Sequence, residues 1–150
     1  MSSKALLVNV GEICIGIEIA HISSIEHCPE TFPLPETPIY IEGVANIRNK
    51  VYTVVDFNLF LGHDACSCHD DTRIVLLNSE SSHIAIKVDR AREIAAYEES
   101  NVKNIELSLL NEMFARAAVR DIFSVFKGII EKGENKILLL DANALINHLR

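Results

Sequence analysis

A chain of 150 residues with 49% apolar and 23% charged residues is long enough for one ordinary domain, or two very small ones sharing a core, and shows no sign of disorder. Its formal charge of −7, with lysines and arginines scattered singly, argues against a nucleic-acid backbone or an anionic membrane surface as partner. No apolar run reaches the roughly 18 residues of a membrane span, so no direct membrane insertion is expected, and the expected compartment is the cytoplasm.

In chain order, residues 5–10 and 13–19 read as two strands joined by a tight turn at Gly11-Glu12. The same stretch is a poor signal peptide, because Asn9 and Glu12 break its apolar run. Ala20 to Ile25 continues as strand or as one helical turn, with Ile22 and Ile25 its apolar pair. All four prolines then fall between Pro29 and Pro38; proline fixes φ and withholds an N–H, which predicts an extended, unpaired connector crossing between two halves of the chain. Residues 42–56, EGVANIRNKVYTVVD, read as a hairpin turning near Arg48-Asn49-Lys50 and closed by Asp56, which caps a helical turn ending at Gly62. A polar loop at 63–71 precedes strands at 73–77 and 83–88. The apolar spacing of Ile105, Leu109, Leu110, Met113, Phe114 and Ala117 predicts an amphipathic helix over 105–119. A second hairpin, 127–141, and a short terminal helix from Ala142 complete a mostly β chain.

The two hairpins are copies of one another. Gly43 and Gly128 each stand thirteen residues before an aspartate, Asp56 and Asp141, with a turn midway and an apolar run into the acid. Cys14 to Ile19 resembles His83 to Val88, and Ile25 then matches Ile94. A duplicated supersecondary unit follows, too short for a solenoid and suited to two small barrels packed together.

Catalytic chemistry finds no support. There is no GxSxG elbow and no glycine-rich turn opening a helix, and Asp56 and Asp141 repeat one place in the pattern, which suits a cap better than an acid/base pair. The four cysteines make no disulfide framework for a chain of this length, so reduced thiols are expected. His63, Cys66, Cys68 and His69 are the candidate metal ligands, but Cys-x-Cys is tighter than the usual zinc spacing and no second pair lies downstream. A solvated loop is the expected reading, with no metal and no cofactor. Arg48, at a hairpin tip, carries the planar fork that anchors protein partners.

The run Pro35-Glu36-Thr37-Pro38-Ile39-Tyr40-Ile41-Glu42-Gly43-Val44-Ala45-Asn46-Ile47-Arg48, followed by Val54-Val55-Asp56-Phe57, resembles the signature of the CheW-like chemotaxis adaptor family. Ile17-Glu18-Ile19, Ile86-Lys87-Val88-Asp89 and Gly128 through Leu145 agree in order and spacing. The resemblance implies two SH3-like five-stranded β-barrel subdomains with a few short helices, in a single domain over 1–150 whose intertwined halves span approximately 5–71 and 72–150. It implies a non-enzymatic scaffold coupling the cytoplasmic tip of methyl-accepting chemoreceptors to a CheA-type histidine kinase. Carried over by position, Ile22, Ile25, Gly43 and Arg48 face partners, whereas Asn46, Val54, Asp56, Val88, Asp89, Gly128 and Asp141 hold the shape. This chain departs from the pattern at Asn49 (a glycine in the family), Thr53 (a proline), Ser24 (often glutamate) and Glu42 (often basic). The last two leave open an adaptor for another chemosensory output, such as surface motility or second-messenger control. A metal- or redox-responsive module using the 63–69 loop is the rival of a different class.

Overall fold

The computed structural model describes residues 2–66, 68–79, 82–105 and 122–149. Ten strands and two short α-helices are present among them: β1 (Ser2–Val10), β2 (Ile13–Glu18), β3 (Ile22–Glu26), β4 (Ile41–Ile47), β5 (Lys50–Asp56), α1 (Phe57–Phe60), β6 (Arg73–Leu77), β7 (Ile84–Val88), β8 (Arg90–Glu98), β9 (Phe126–Lys132), β10 (Asn135–Leu140) and α2 (Ala142–Leu149). The strand assignments follow the β-branched, alternating runs, and the fold is mostly β. The helix expected over 105–119 lies, apart from Ile105, outside the described residues.

The strands form two five-stranded sheets, ordered β8-β1-β2-β10-β9 and β3-β6-β7-β5-β4. Numbering β6–β10 as a second copy of β1–β5 turns the first order into the second. Each sheet therefore takes strands from both copies, and the hairpins β4–β5 and β9–β10 lie in different sheets. The pairings coincide residue by residue: Thr53 lies opposite Ile84 as Leu138 lies opposite Ile15, and Val55 opposite Ile86 as Leu140 opposite Ile17.

Neither sheet closes through its main ladders, and both are drawn round in the same way. The segment after one edge strand crosses to the other edge and makes an isolated bridge there, Phe32 with Val44 in one sheet and Lys103 with Ile129 in the other. The proline-rich connector is thus not a crossing between halves. It joins β3 to β4, the two edges of one sheet, and it is partly paired, because Phe32 both donates to and accepts from Val44 at 2.8 and 2.9 Å. Proline cannot donate, but the phenylalanine between Pro29 and Pro33 can.

The crossing requires glycine opposite it. A Cβ on Gly43 would stand 2.3 Å from the Phe32 carbonyl oxygen, and one on Gly128 2.5 Å from that of Lys103. Beside each glycine the ladder slips, leaving Glu42 and Lys127 in the gaps. Their side chains reach the third strand: Glu42 accepts from Lys87 Nζ at 2.6 Å, and Lys127 Nζ donates to Glu18. In the repeat Glu18 stands for Lys87 and Glu42 for Lys127, so one ion pair occurs twice with its polarity reversed.

One face of each sheet packs into a shared core, where Ile17, Val55, Phe57, Phe60, Val75, Ile86, Leu140 and Leu145 meet. The other faces carry smaller cores, Ala5, Leu7, Ile137 and Leu139 in one sheet and Ala45, Val54, Ile74 and Ala85 in the other. Burial on both faces explains why β7 is apolar throughout but for Lys87.

Candidate functional site

The β4–β5 hairpin turns through two residues, Arg48 and Asn49, both left-handed with φ of 53° and 67°. A two-residue turn of this hand matches the twist of the flanking strands. Asparagine tolerates it readily, and arginine there is held at a local cost of the order of 1 kcal/mol. The Arg48 side chain, 70% exposed, reaches the end of β3, where its Nε and Nη2 donate to the two carboxylate oxygens of Glu26 at 3.0 and 3.3 Å. Since β3 is the far edge of this sheet, the arginine fork spans the seam of the rolled sheet. Ile25, beside Glu26, is 40% exposed. The seam thus presents an oriented guanidinium, and the edge strand that holds its partner also carries an exposed isoleucine; arginine and apolar side chains are the anchors that protein interfaces use.

The other residues expected to face partners lie differently. Ile22 is half-buried against the shared core, and Gly43 is buried beneath Phe32 and Pro33, so its contribution is to the path of the chain. Among the residues expected to hold the shape, Val54 and Val88 are fully buried and Gly128 is buried under Lys103, while Asn46 is exposed.

Asp56 and Asp141 both act as helix caps. Asp56 accepts from the N–H groups of Asn58 and Leu59 at 3.0 and 3.3 Å, and from that of Cys66 at 2.9 Å; Asp141 accepts from Ala144 at 3.1 Å. Burial pushes the Asp56 carboxyl above the usual carboxylate range, against the pull of its three N–H donors and the Lys87 charge. Asp89 ties three segments together, accepting from Gly11 N–H at 2.5 Å, Asn58 Nδ2 at 3.1 Å and Cys66 Sγ at 3.0 Å. Burial alone would raise its carboxyl; the Cys66, Gly11 and Asn58 donors outweigh burial and hold it below the usual range.

This direction sets a pH dependence. A carboxyl depressed in the folded state contributes stability that is present above its unfolded titration near pH 4 and is lost as pH falls through the folded value. Asp89→Asn is expected to cost about 2 kcal/mol at pH 7, on the scale of hydrogen bonds to a charged group. The gap to wild type should close in urea titrations run below about pH 4. A gap that stays constant with pH would remove the charge from the account.

The polar loop serves this network. Cys66 is buried, and burial together with the Asp89 carboxylate pushes its thiol up to about 12, so it stays protonated and donates. A cavity of about 620 Å³ opens alongside, lined by Gly11, Asn58, His63, Cys66, His69 and Asp89 among others. Among the described residues no group of three His, Cys, Asp or Glu side chains converges to hold a metal ion. No helix among them is long and apolar enough to cross a membrane. Sequence reasoning missed the clustering of Asp89 with Cys66 and Asn58, and the Lys87–Glu42 pair. The second carried a signal, since the repeat sets opposite charges against each other at both positions.

Two SH3-like sheets interlocked by strand exchange, with an arginine fork exposed at one seam, are the architecture of a CheW-like domain. The chain belongs to the CheW family: the CheW-like domain matches residues 4–150. It is 27% identical over 133 residues to the chemotaxis protein CheW of Bacillus subtilis, covering 88% of this chain and 79% of that protein. It is 23% identical over 143 residues to the chemotaxis protein CheW of Treponema pallidum, covering 92% and 78%. The fold is that of the scaffolding protein TtCheW from Thermoanaerobacter tengcongensis, with a TM-score of 0.77 at 20% identity over 93% of this chain and 89% of that one.

Proposed function

We propose that this chain is a chemotaxis coupling scaffold, acting as one unit over residues 1–150 in the cytoplasm, that holds the cytoplasmic tip of a chemoreceptor against the regulatory domain of a CheA-type histidine kinase. The observation that carries the reading is the seam of the second sheet, where Arg48 is exposed yet oriented by Glu26 beside Ile25. A scaffold of this kind works by geometry: it presents fixed surfaces to two partners, so that movement in one biases the other. Nothing in that role needs a reactive side chain, and the Asp56 and Asp89 carboxylates are occupied with capping and cross-linking.

The acidic departure at Glu42 gives no support to a different partner, because its carboxylate is engaged by Lys87 inside the sheet. The test is reconstitution. The purified chain, a chemoreceptor cytoplasmic fragment and a CheA-type kinase should co-sediment as a ternary complex, with kinase activity depending on all three. A chain that binds neither partner at tens of micromolar would overturn the reading while leaving the fold intact.

A further inference from the structure

Outside the seam and the Asp89 network, two thiols meet that lie forty residues apart in sequence. Glu26, the last residue of β3, pairs with Ile74 of β6, so continuing the antiparallel register brings Cys28 level with Thr72. The loop before β6 folds back at that level: Thr72 N–H donates to His69 O at 3.1 Å, and His69 N–H donates to Thr72 Oγ1 at 3.1 Å. This closed turn returns Cys68 to the end of β3, where the Cys28 and Cys68 thiols lie close enough to act on one another. Lys87, opposite Ile74 on the neighbouring strand, donates to Glu42, and its ammonium interacts with Cys68 as well. Burial works against its ammonium, but Glu42 and Cys68 outweigh burial and hold it above the ordinary lysine range.

The repeat shows that the pair is particular to this sheet. Cys28 stands where the other sheet has Tyr97, which likewise lies beside the equivalent Glu18–Lys127 pair. The ring in one copy is replaced by a small side chain in the other, and the loop brings a second sulfur beside it.

We propose that Cys28 and Cys68 form a thiol-oxidation site, which hydroperoxides convert to an intramolecular disulfide. Cys68 is the exposed partner and Cys28 the half-buried one. Burial and the Cys68 sulfur push the Cys28 thiol up to about 12, which leaves Cys68 to meet the oxidant and Cys28 to resolve. In the first step the Cys68 sulfur attacks one oxygen of the peroxide; the O–O bond breaks, the sulfur is oxidised to the sulfenic acid and water or an alcohol leaves. In the second, the Cys28 sulfur attacks the Cys68 sulfur, the S–O bond breaks, and hydroxide leaves with the Cys28 proton as water. Two thiols and one peroxide thus give a disulfide and two hydroxylic products. The other two thiols are placed differently: Cys66 is buried and donates to Asp89, and Cys14 lies within β2.

The experiment treats the full, folded chain with one equivalent of hydrogen peroxide, alkylates the remaining thiols and maps peptides without reduction. A Cys28–Cys68 linked peptide is expected as the main product, with two of the four thiols lost and both restored by dithiothreitol. Under the same conditions Cys28→Ser should stop at a sulfenic acid on Cys68 that dimedone traps. In the untreated chain Cys68 should alkylate at least about tenfold faster than Cys66. Oxidation that begins at Cys14 or Cys66, a wild-type Cys68 that accumulates as sulfenic acid with Cys28 still free, or links formed only between molecules would each overturn the proposal. The wild-type map decides it even if a serine variant folds poorly.

Discussion

Arg48→Glu is expected to weaken binding to the kinase regulatory domain or the receptor tip by about 30-fold or more while the chain folds as before. The two halves of this expectation rest on different magnitudes. Within the chain, Arg48 makes one exposed ion pair, with Glu26, and exposed pairs contribute about 0–1 kcal/mol. The substitution also sets a carboxylate against Glu26, at a cost of the same order, and keeps a non-glycine residue in the left-handed turn, so the strain there is unchanged. At an interface, an arginine at the centre of a desolvated patch contributes about 2 kcal/mol or more, which is the 30-fold loss. Melting curves should therefore nearly overlay, whereas titration calorimetry with each partner fragment separates the variants. Arg48→Lys is the informative companion. It keeps the charge but loses the fork, so it should fall between wild type and glutamate. Affinity for both partners unchanged within twofold in Arg48→Glu would detach the seam from the proposed function.

Much of this arrangement was legible in the residues, and the reasons are specific. The hairpins at 42–56 and 127–141 were readable because strand patterning, turn residues and an acid cap coincide in both copies. Which sheet each hairpin joins was not. Residues 53–56 pair in parallel with 84–87, and a parallel pairing across that sequence distance leaves no local signature. The prolines of the connector at 29–38 argue for an unpaired segment, yet a single residue between them suffices for a bridge. The site was half visible. Ile25 came from the family pattern, Arg48 both from that pattern and from its place at a hairpin tip, and both are exposed, but the same pattern placed Gly43 beside partners, and its burial under Phe32 depends on a tertiary crossing no local pattern records. The Cys28–Cys68 contact was invisible for the same reason. The compact 63–69 run drew attention to local spacing, whereas the partner of Cys68 lies forty residues earlier.

Gly43→Ala is expected to destabilise the chain by about 3 kcal/mol, lowering the melting temperature by about 10 °C for a domain of this size. Two penalties act together. The backbone at Gly43 has φ of +151°, where a side chain is strained whatever the space, and the added Cβ would lie 2.3 Å from the Phe32 carbonyl oxygen and 3.0 Å from Pro33 Cα. Neither neighbour yields easily, since both are backbone and the Phe32 carbonyl accepts from Val44. Gly128→Ala meets only the second kind of penalty, with Lys103 O at 2.5 Å and Val102 Cγ1 at 2.7 Å, and should cost somewhat less, about 2 kcal/mol. Gly133→Ala meets only the first: φ is +64° but nothing lies within 4 Å, so about 1 kcal/mol is expected. The order Gly43 over Gly128 over Gly133, read from urea midpoints, tests the closure of both sheets by their crossing segments. If Gly43→Ala proved no costlier than Gly133→Ala, the connector could not run across the glycine as described. The seam that orients Arg48 would then lose its structural support, because the bridge drawing the sheet round and the glycine admitting it are one feature.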